Sequence, residues 1–84
     1  MARIYSLNEV KNLPTGTDVW GEIHGWDIYA YTISGKLNDS IRLNNAVFNY
    51  IRYNKDNNGW GWRLWDSRPS ADEVKNAKWD EVIR

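Results

Sequence analysis

Three tryptophans lie within six residues of this chain, in the stretch WGWRLW at positions 60–65. Side chains alternate between the two faces of a strand, so Trp60, Trp62 and Leu64 should share one face, which suits a hydrophobic core. Arg63 and Trp65 should share the other face with the bare backbone of the intervening glycine. That face offers a flat ring, a guanidinium and an open backbone, which suit a planar ligand or a partner chain. The alternative is that all three rings belong to the core.

Recognition by stacking and hydrogen bonding is the chemistry that this composition supports best. Aromatic faces bind nucleic-acid bases at roughly 1–3 kcal/mol each, and arginine adds cation–π or phosphate contacts. The residues that we expect near a ligand are Trp26, Tyr29, Tyr31, Arg42, Arg63 and Trp65. For each tyrosine, the alternative is an ordinary sheet position with its hydroxyl at the rim.

The sequence offers few residues that could carry out catalysis or bind a metal. The chain has no cysteine and one histidine, His24, which with Glu22 and Asp27 is the single candidate for an acid–base group. Because His24 falls at a predicted turn between strands, we expect it to be solvated. Acidic residues lack metal-ligand spacing, and no glycine motif for phosphate or dinucleotide binding occurs. The sequence therefore predicts a protein that is not an enzyme and holds neither a cofactor nor a metal.

The composition limits the classes of protein to which this chain can belong. Its 84 residues make a single domain, 1–84, with a small core and no disulfides, so large aromatics and self-association are expected to stabilise it. Eleven basic residues balance eleven acidic ones, which argues against a nucleic-acid binder. No apolar run reaches the roughly 20 residues of a membrane span, and no signal-peptide pattern is present. We expect a cytoplasmic homo-oligomer that contacts neither nucleic acid nor membrane.

The elements that must position these residues indicate an α+β fold. Capping boxes at Ser6–Glu9 and Ser70–Glu73 predict the starts of two short helices. Five strands are predicted, over residues 17–23, 26–33, 36–43, 46–53 and 60–65. Apolar residues on both faces of the fourth strand indicate a central position, and the loop at 54–59 predicts a hairpin that joins it to the fifth. The expected fold is a five-stranded, mainly antiparallel sheet with two short capped helices.

Two patterns, taken together, resemble the phage anti-Thoeris family of small proteins. The first is a capped helix, a glycine turn and a strand that leads to a Gly-Trp pair: Tyr5-Ser6-Leu7-Asn8-Glu9-Val10, Thr15-Gly16, Val19 and Gly25-Trp26. The second is a terminal helix that ends in tryptophan, acidic residues and valine: Trp65, Ser70, Asp72 and Ala77-Lys78-Trp79-Asp80-Glu81-Val82.

The resemblance implies a small α+β homo-tetramer that sequesters cyclic ADP-ribose signalling nucleotides at subunit interfaces without degrading them. It gives Trp26 a binding role and Trp79 a structural one. The family often has a basic residue before its Gly-Trp pair, where this chain has His24, so the phosphate contacts fall to Arg63 or Arg42. The alternative is a phage inhibitor whose aromatic face docks on a host defence or replication protein, because Trp, Tyr and Arg are also enriched in interface hot spots.

Overall fold

A five-stranded antiparallel sheet with two short helices forms the fold, which confirms the predicted α+β class. The computed structural model describes residues 1–23, 28–56 and 61–81. The elements are helix α1 (Leu7–Asn12), strands β1 (Asp18–Ile23), β2 (Ile28–Lys36), β3 (Ser40–Leu43) and β4 (Ala46–Asn49), a 3₁₀ turn (Tyr50–Arg52), β5 (Lys55–Asp56), β6 (Trp62–Trp65), helix α2 (Ala71–Asn76) and β7 (Asp80–Glu81). The large sheet has the order β4-β3-β2-β1-β6, and β5 pairs with β7 in a separate parallel ribbon.

Both helices begin at the predicted capping boxes. The Ser6 hydroxyl accepts from the backbone N–H of Glu9 at 3.1 Å, and the Glu9 carboxylate accepts from the backbone N–H of Ser6 at 2.9 Å. Ser70 and Glu73 make the same reciprocal pair at 3.1 and 3.0 Å. These bonds satisfy N–H groups that have no partner inside the helix. Helix α1 then lies on the sheet through Val10, which is fully buried.

One face of the sheet forms the hydrophobic core beneath α1. The alternation predicted for the tryptophan strand is confirmed there, because Trp62 and Leu64 are both buried in this core. Its buried members come from α1, from the four strands β1, β2, β3 and β6, and from the region of the 3₁₀ turn: Val10, Val19, Ile33, Ile41, Leu43, Tyr50, Tyr53, Trp62 and Leu64. Trp60, which was expected on the same face, lies outside the described residues.

The prediction of a long, central fourth strand is wrong. Strand β4 ends at Asn49, whose side-chain oxygen accepts from the backbone N–H of Ile51 at 2.9 Å and starts the 3₁₀ turn. The strand lies at the edge of the sheet, and Val47 is 54% exposed. The apolar pattern over 46–53 misled the assignment because it combines a short edge strand with a turn that buries Tyr50 and Tyr53.

The predicted hairpin between the fourth strand and the tryptophan strand is also wrong. Strand β6 pairs with β1, with Trp20 opposite Trp65 and Glu22 opposite Arg63. Charge explains this choice, because a buried arginine needs an acidic partner and the residues of β4 include none. Of the expected loop at 54–59, residues 57–59 lie outside the described part, and Lys55–Asp56 pairs with β7 instead.

The outer edge of β6 is covered by the N-terminal segment. Ile4 forms a bridge with Trp65, and the backbone N–H of Tyr5 donates to the Leu64 carbonyl at 2.9 Å. The buried Tyr53 hydroxyl donates to the Tyr5 carbonyl and accepts from the backbone N–H of Leu64. Burial raises the pKa of Tyr53, so this hydroxyl stays protonated and keeps both bonds.

Gly61 should tolerate no side chain. A Cβ at this position would lie 1.8 Å from the backbone oxygen of Lys55, whereas a Cβ on Gly35 would meet nothing closer than 4.0 Å. We expect Gly61→Ala to lower the free energy of unfolding by about 3 kcal/mol or more, because the obstacle is backbone. Gly35→Ala is the matched control and should change it by less than about 1 kcal/mol. Urea denaturation of both variants measures these changes. An equal loss in the free energy of unfolding would contradict the close contact between position 61 and Lys55.

Stability should fall in acid through the two capping carboxylates. Hydrogen bonding to Arg3, then to the Ser6 backbone, lowers the pKa of Glu9 to about 2, and the Ser70 backbone bond lowers the pKa of Glu73. Each group is protonated nearer its ordinary pKa of about 4.5 in the unfolded chain, so its contribution is present above that pH and is lost as pH falls below it, which for Glu9 extends towards pH 2. We expect the melting temperature to fall over this range. The double variant Glu9→Gln/Glu73→Gln should show a flatter profile, and an unchanged profile would contradict the assignment.

Candidate functional site

The face of the sheet opposite the core carries a buried ion pair. Arg63 donates from Nε and Nη2 to the two carboxylate oxygens of Glu22, at 2.9 and 2.7 Å. The Trp65 indole N–H donates to the same carboxylate at 2.8 Å. Arg63 is 0% exposed and Trp65 3% exposed. The face that was expected to be open to a ligand is therefore filled by a closed polar network in this chain.

The C-terminal segment covers this network. Cζ of Arg63 lies 3.8 Å from the centroid of the Trp79 ring, and Nη1 donates to the Ala77 carbonyl at 3.4 Å. A Cβ on Gly61 would meet the Trp79 ring at 3.1 Å, so the glycine, too, is covered. The glycine permits this close approach of chain segments and leaves no open backbone surface.

A groove between β2 and α2 is an accessible concave surface with convergent polar groups. Its volume is about 390 Å³, near the lower end of the range for small-molecule sites. Tyr29 lines this groove and is 50% exposed. Arg68 supplies a cation, whose Cζ lies 5.4 Å from the centroid of the Trp20 ring. The groove is lined by Ile28, Tyr29, Arg68, Pro69, Ser70, Ala71 and Val74.

The six predicted ligand residues do not form one cluster. Arg63 and Trp65 lie together on the buried network, 5.6 Å from guanidinium carbon to ring centroid. Tyr31 packs against the core, and its ring centroid lies 6.5 Å from that of Tyr29. Arg42 is exposed on β3, beside Val47 of the edge strand.

Trp26, the sixth predicted residue, lies outside the described residues, as do His24 and Asp27 of the candidate acid–base group. Glu22, the remaining member of that group, is fully engaged by Arg63 and Trp65. Of the five predicted ligand residues that the structure describes, Tyr29 is the one that lines the groove.

Two residues of this surface, Arg68 and Trp20, were not predicted from the sequence. Arg68 stands two residues before the Ser70 cap, in the connection that leaves the tryptophan strand. Its position beside Trp20 follows from the pairing of β6 with β1, which brings the end of β6 next to Trp20. A cation in a short loop that precedes a capped helix is a signal that could have marked Arg68, but the partner strand had to be known first.

Within residues 1–23, 28–56 and 61–81, no group of three or more His, Cys, Asp and Glu side chains is placed to hold a metal ion. No helix in that part of the chain is long and apolar enough to cross a membrane.

Removal of one partner of the buried ion pair should be costly. Glu22→Gln leaves the Arg63 charge buried without its counter-charge, so we expect the free energy of unfolding to fall by about 3–5 kcal/mol. The double variant Glu22→Gln/Arg63→Met removes both charges and should be more stable than the single variant.

Chemical denaturation measures the free energy of unfolding of the single and the double variant. Arg3→Met serves as the control, because Arg3 and its partner Glu9 lie at the surface. Exposed ion pairs contribute little, so this control should change stability far less. A double variant less stable than Glu22→Gln would contradict the account.

Comparisons with known proteins add no relative: no family model matches the chain, and neither the curated proteins nor the solved structures contain a significant match.

Proposed function

We propose that this protein is a binding module of the phage anti-defence type, which sequesters a nucleotide-derived immune signal in the host cytoplasm without cleaving it. The resemblance to the anti-Thoeris family suggests this class of ligand. The observation that carries the proposal is the meeting of an exposed ring, Tyr29, and a cation, Arg68, in one groove.

Each of these groups suits one part of a nucleotide. A base stacked on Tyr29 would gain roughly 1–3 kcal/mol. A charge-assisted hydrogen bond from Arg68 to a phosphate would add roughly 1.5–3 kcal/mol. The packing of Arg68 beside Trp20 limits the freedom of its side chain, which reduces the entropy lost on binding.

The proposed protein acts as a homo-oligomer. Stacking and one arginine contact together supply roughly 2.5–6 kcal/mol, whereas micromolar to nanomolar affinity needs roughly 8–12 kcal/mol. A second subunit that covers the open side of the groove would supply the remainder. Sequestration then depends on affinity and protein concentration, since no turnover occurs.

Retention of an intact ligand agrees with the chemistry of the groove. Among the residues that the structure describes, those that line the groove include no histidine, cysteine or carboxylate. The Ser70 hydroxyl could act as a nucleophile, but it accepts a hydrogen bond from the backbone N–H of Glu73 as the helix cap. It also lacks a general base among the lining residues, which a serine needs for activation.

The second candidate function is inhibition of a host protein through an aromatic surface. A row of rings favours it: Tyr29, Tyr31 and Phe48 follow one another with centroids 6.5 and 5.7 Å apart, and all three are at least partly exposed. Partly exposed tyrosine and phenylalanine rings are common in interface cores. A partner bound there would cover Tyr29 and compete with a ligand in the groove.

Intrinsic fluorescence titration against cyclic ADP-ribose isomers tests the proposal. Trp20 lies beside Arg68 and should report binding as a change in emission. We expect saturable quenching by one isomer, with the ligand recovered intact. Arg68→Ala should weaken binding by about 10- to 100-fold because it removes a charge-assisted bond. Arg42→Ala is the matched control, an exposed arginine outside the groove, and should change affinity by less than about threefold.

The outcomes separate the candidates. Loss of binding in Arg42→Ala but not in Arg68→Ala would place the ligand away from the groove. A flat response to every isomer would contradict sequestration of this ligand class, and capture of one host protein that Tyr29→Ala abolishes would then support the inhibitor.

A further inference from the structure

The C-terminal segment Ala77–Glu81 gives Arg63 the contacts that a bound ring would give it. The Trp79 ring lies over the guanidinium at 3.8 Å, and the Ala77 carbonyl accepts from Nη1 at 3.4 Å. A flat heterocycle with an acceptor at its edge would make the same two contacts. Trp79 thus occupies, within the chain itself, a position suited to a planar ligand.

The charge at this position favours a neutral ring. Both carboxylate oxygens of Glu22 bind Arg63, and both side chains are buried, at 4% and 0% exposure. The pair has no net charge. A phosphate would have to displace a buried carboxylate to reach the guanidinium, whereas an uncharged ring needs only the face that Trp79 covers.

Among the described residues, the strand pairing of the segment that carries Trp79 is short. Its strand pairing with β5 spans two residues on each side, and none of the residues of α2, which precedes it, is buried. Strand β6 beneath it is buried along its whole length. Segments with few buried contacts open at a lower free energy than the core does.

We infer that Glu22, Arg63 and Trp65 form a cryptic site for a neutral planar heterocycle, which Trp79 occupies in the closed state. Opening of residues 77–81 admits a free ring in place of Trp79. The site is separate from the groove at Tyr29 and Arg68, and the inference does not depend on the function proposed for that groove.

The variant Trp79→Ala tests the site, with indole as the probe. Loss of the ring leaves a space over Arg63, so indole at about four times its dissociation constant should raise the melting temperature of this variant by about 4–8 °C. Trp20→Ala is the matched control, because it removes an indole beside an exposed arginine, Arg68. Indole should leave the melting temperature of this control unchanged. No effect on Trp79→Ala, or an equal effect on both variants, would overturn the site.

Amide hydrogen exchange of the wild-type chain tests the opening and requires no variant to fold. We expect the amides of residues 78–81 to exchange by local opening, at least about tenfold faster than those of β1 and β6. Exchange of both groups at the same rate would mean that the segment opens only when the whole chain unfolds, and would overturn the inference.

Discussion

The buried pair between Glu22 and Arg63 is the interaction on which the rest of the structure depends. An arginine with no exposed surface is tolerated only where a carboxylate and further acceptors meet its donors. Glu22 on the neighbouring strand accepts two hydrogen bonds from Arg63, and the Ala77 carbonyl of the C-terminal segment accepts a third. The pair therefore selects the strand neighbour of β6 and the path of the chain after α2.

Because of this pairing, aromatic residues pack in two places, the hydrophobic core and the surroundings of the ion pair. Trp62 and Tyr53 pack in the core, with ring centroids 4.8 Å apart. Trp65 and Trp79 enclose the ion pair on the opposite face. Much of the aromatic content is therefore used to stabilise a chain too short for a large aliphatic core. Among the described aromatic residues, Tyr29 is the one that is exposed, and it lines the groove where the proposed ligand surface lies.

The groove and the covered site differ in their electrostatics, which makes them suited to different chemistry. Arg68 is exposed and lies beside the Trp20 ring, and the proposed function assigns its charge to a phosphate. The charge of Arg63 is neutralised in place by Glu22. A chain of zero net charge can thus present a local cation to a phosphate without a general affinity for nucleic acid.

The sequence by itself determined the local structure of this protein. The helix starts at Ser6 and Ser70, the alternation of Arg63 and Trp65 against Trp62 and Leu64, and the α+β class all follow from neighbours within a few residues. Strand partners and burial were decided only by the tertiary structure. The alternation of side chains predicted that Arg63 faces away from the core. Whether that face meets solvent or other residues is decided by Ala77 and Glu22, which lie 14 and 41 positions away in the sequence. The groove of Arg68 and Tyr29 has the same origin, since contacts between distant segments arise from the packing of the whole chain, which no local pattern encodes.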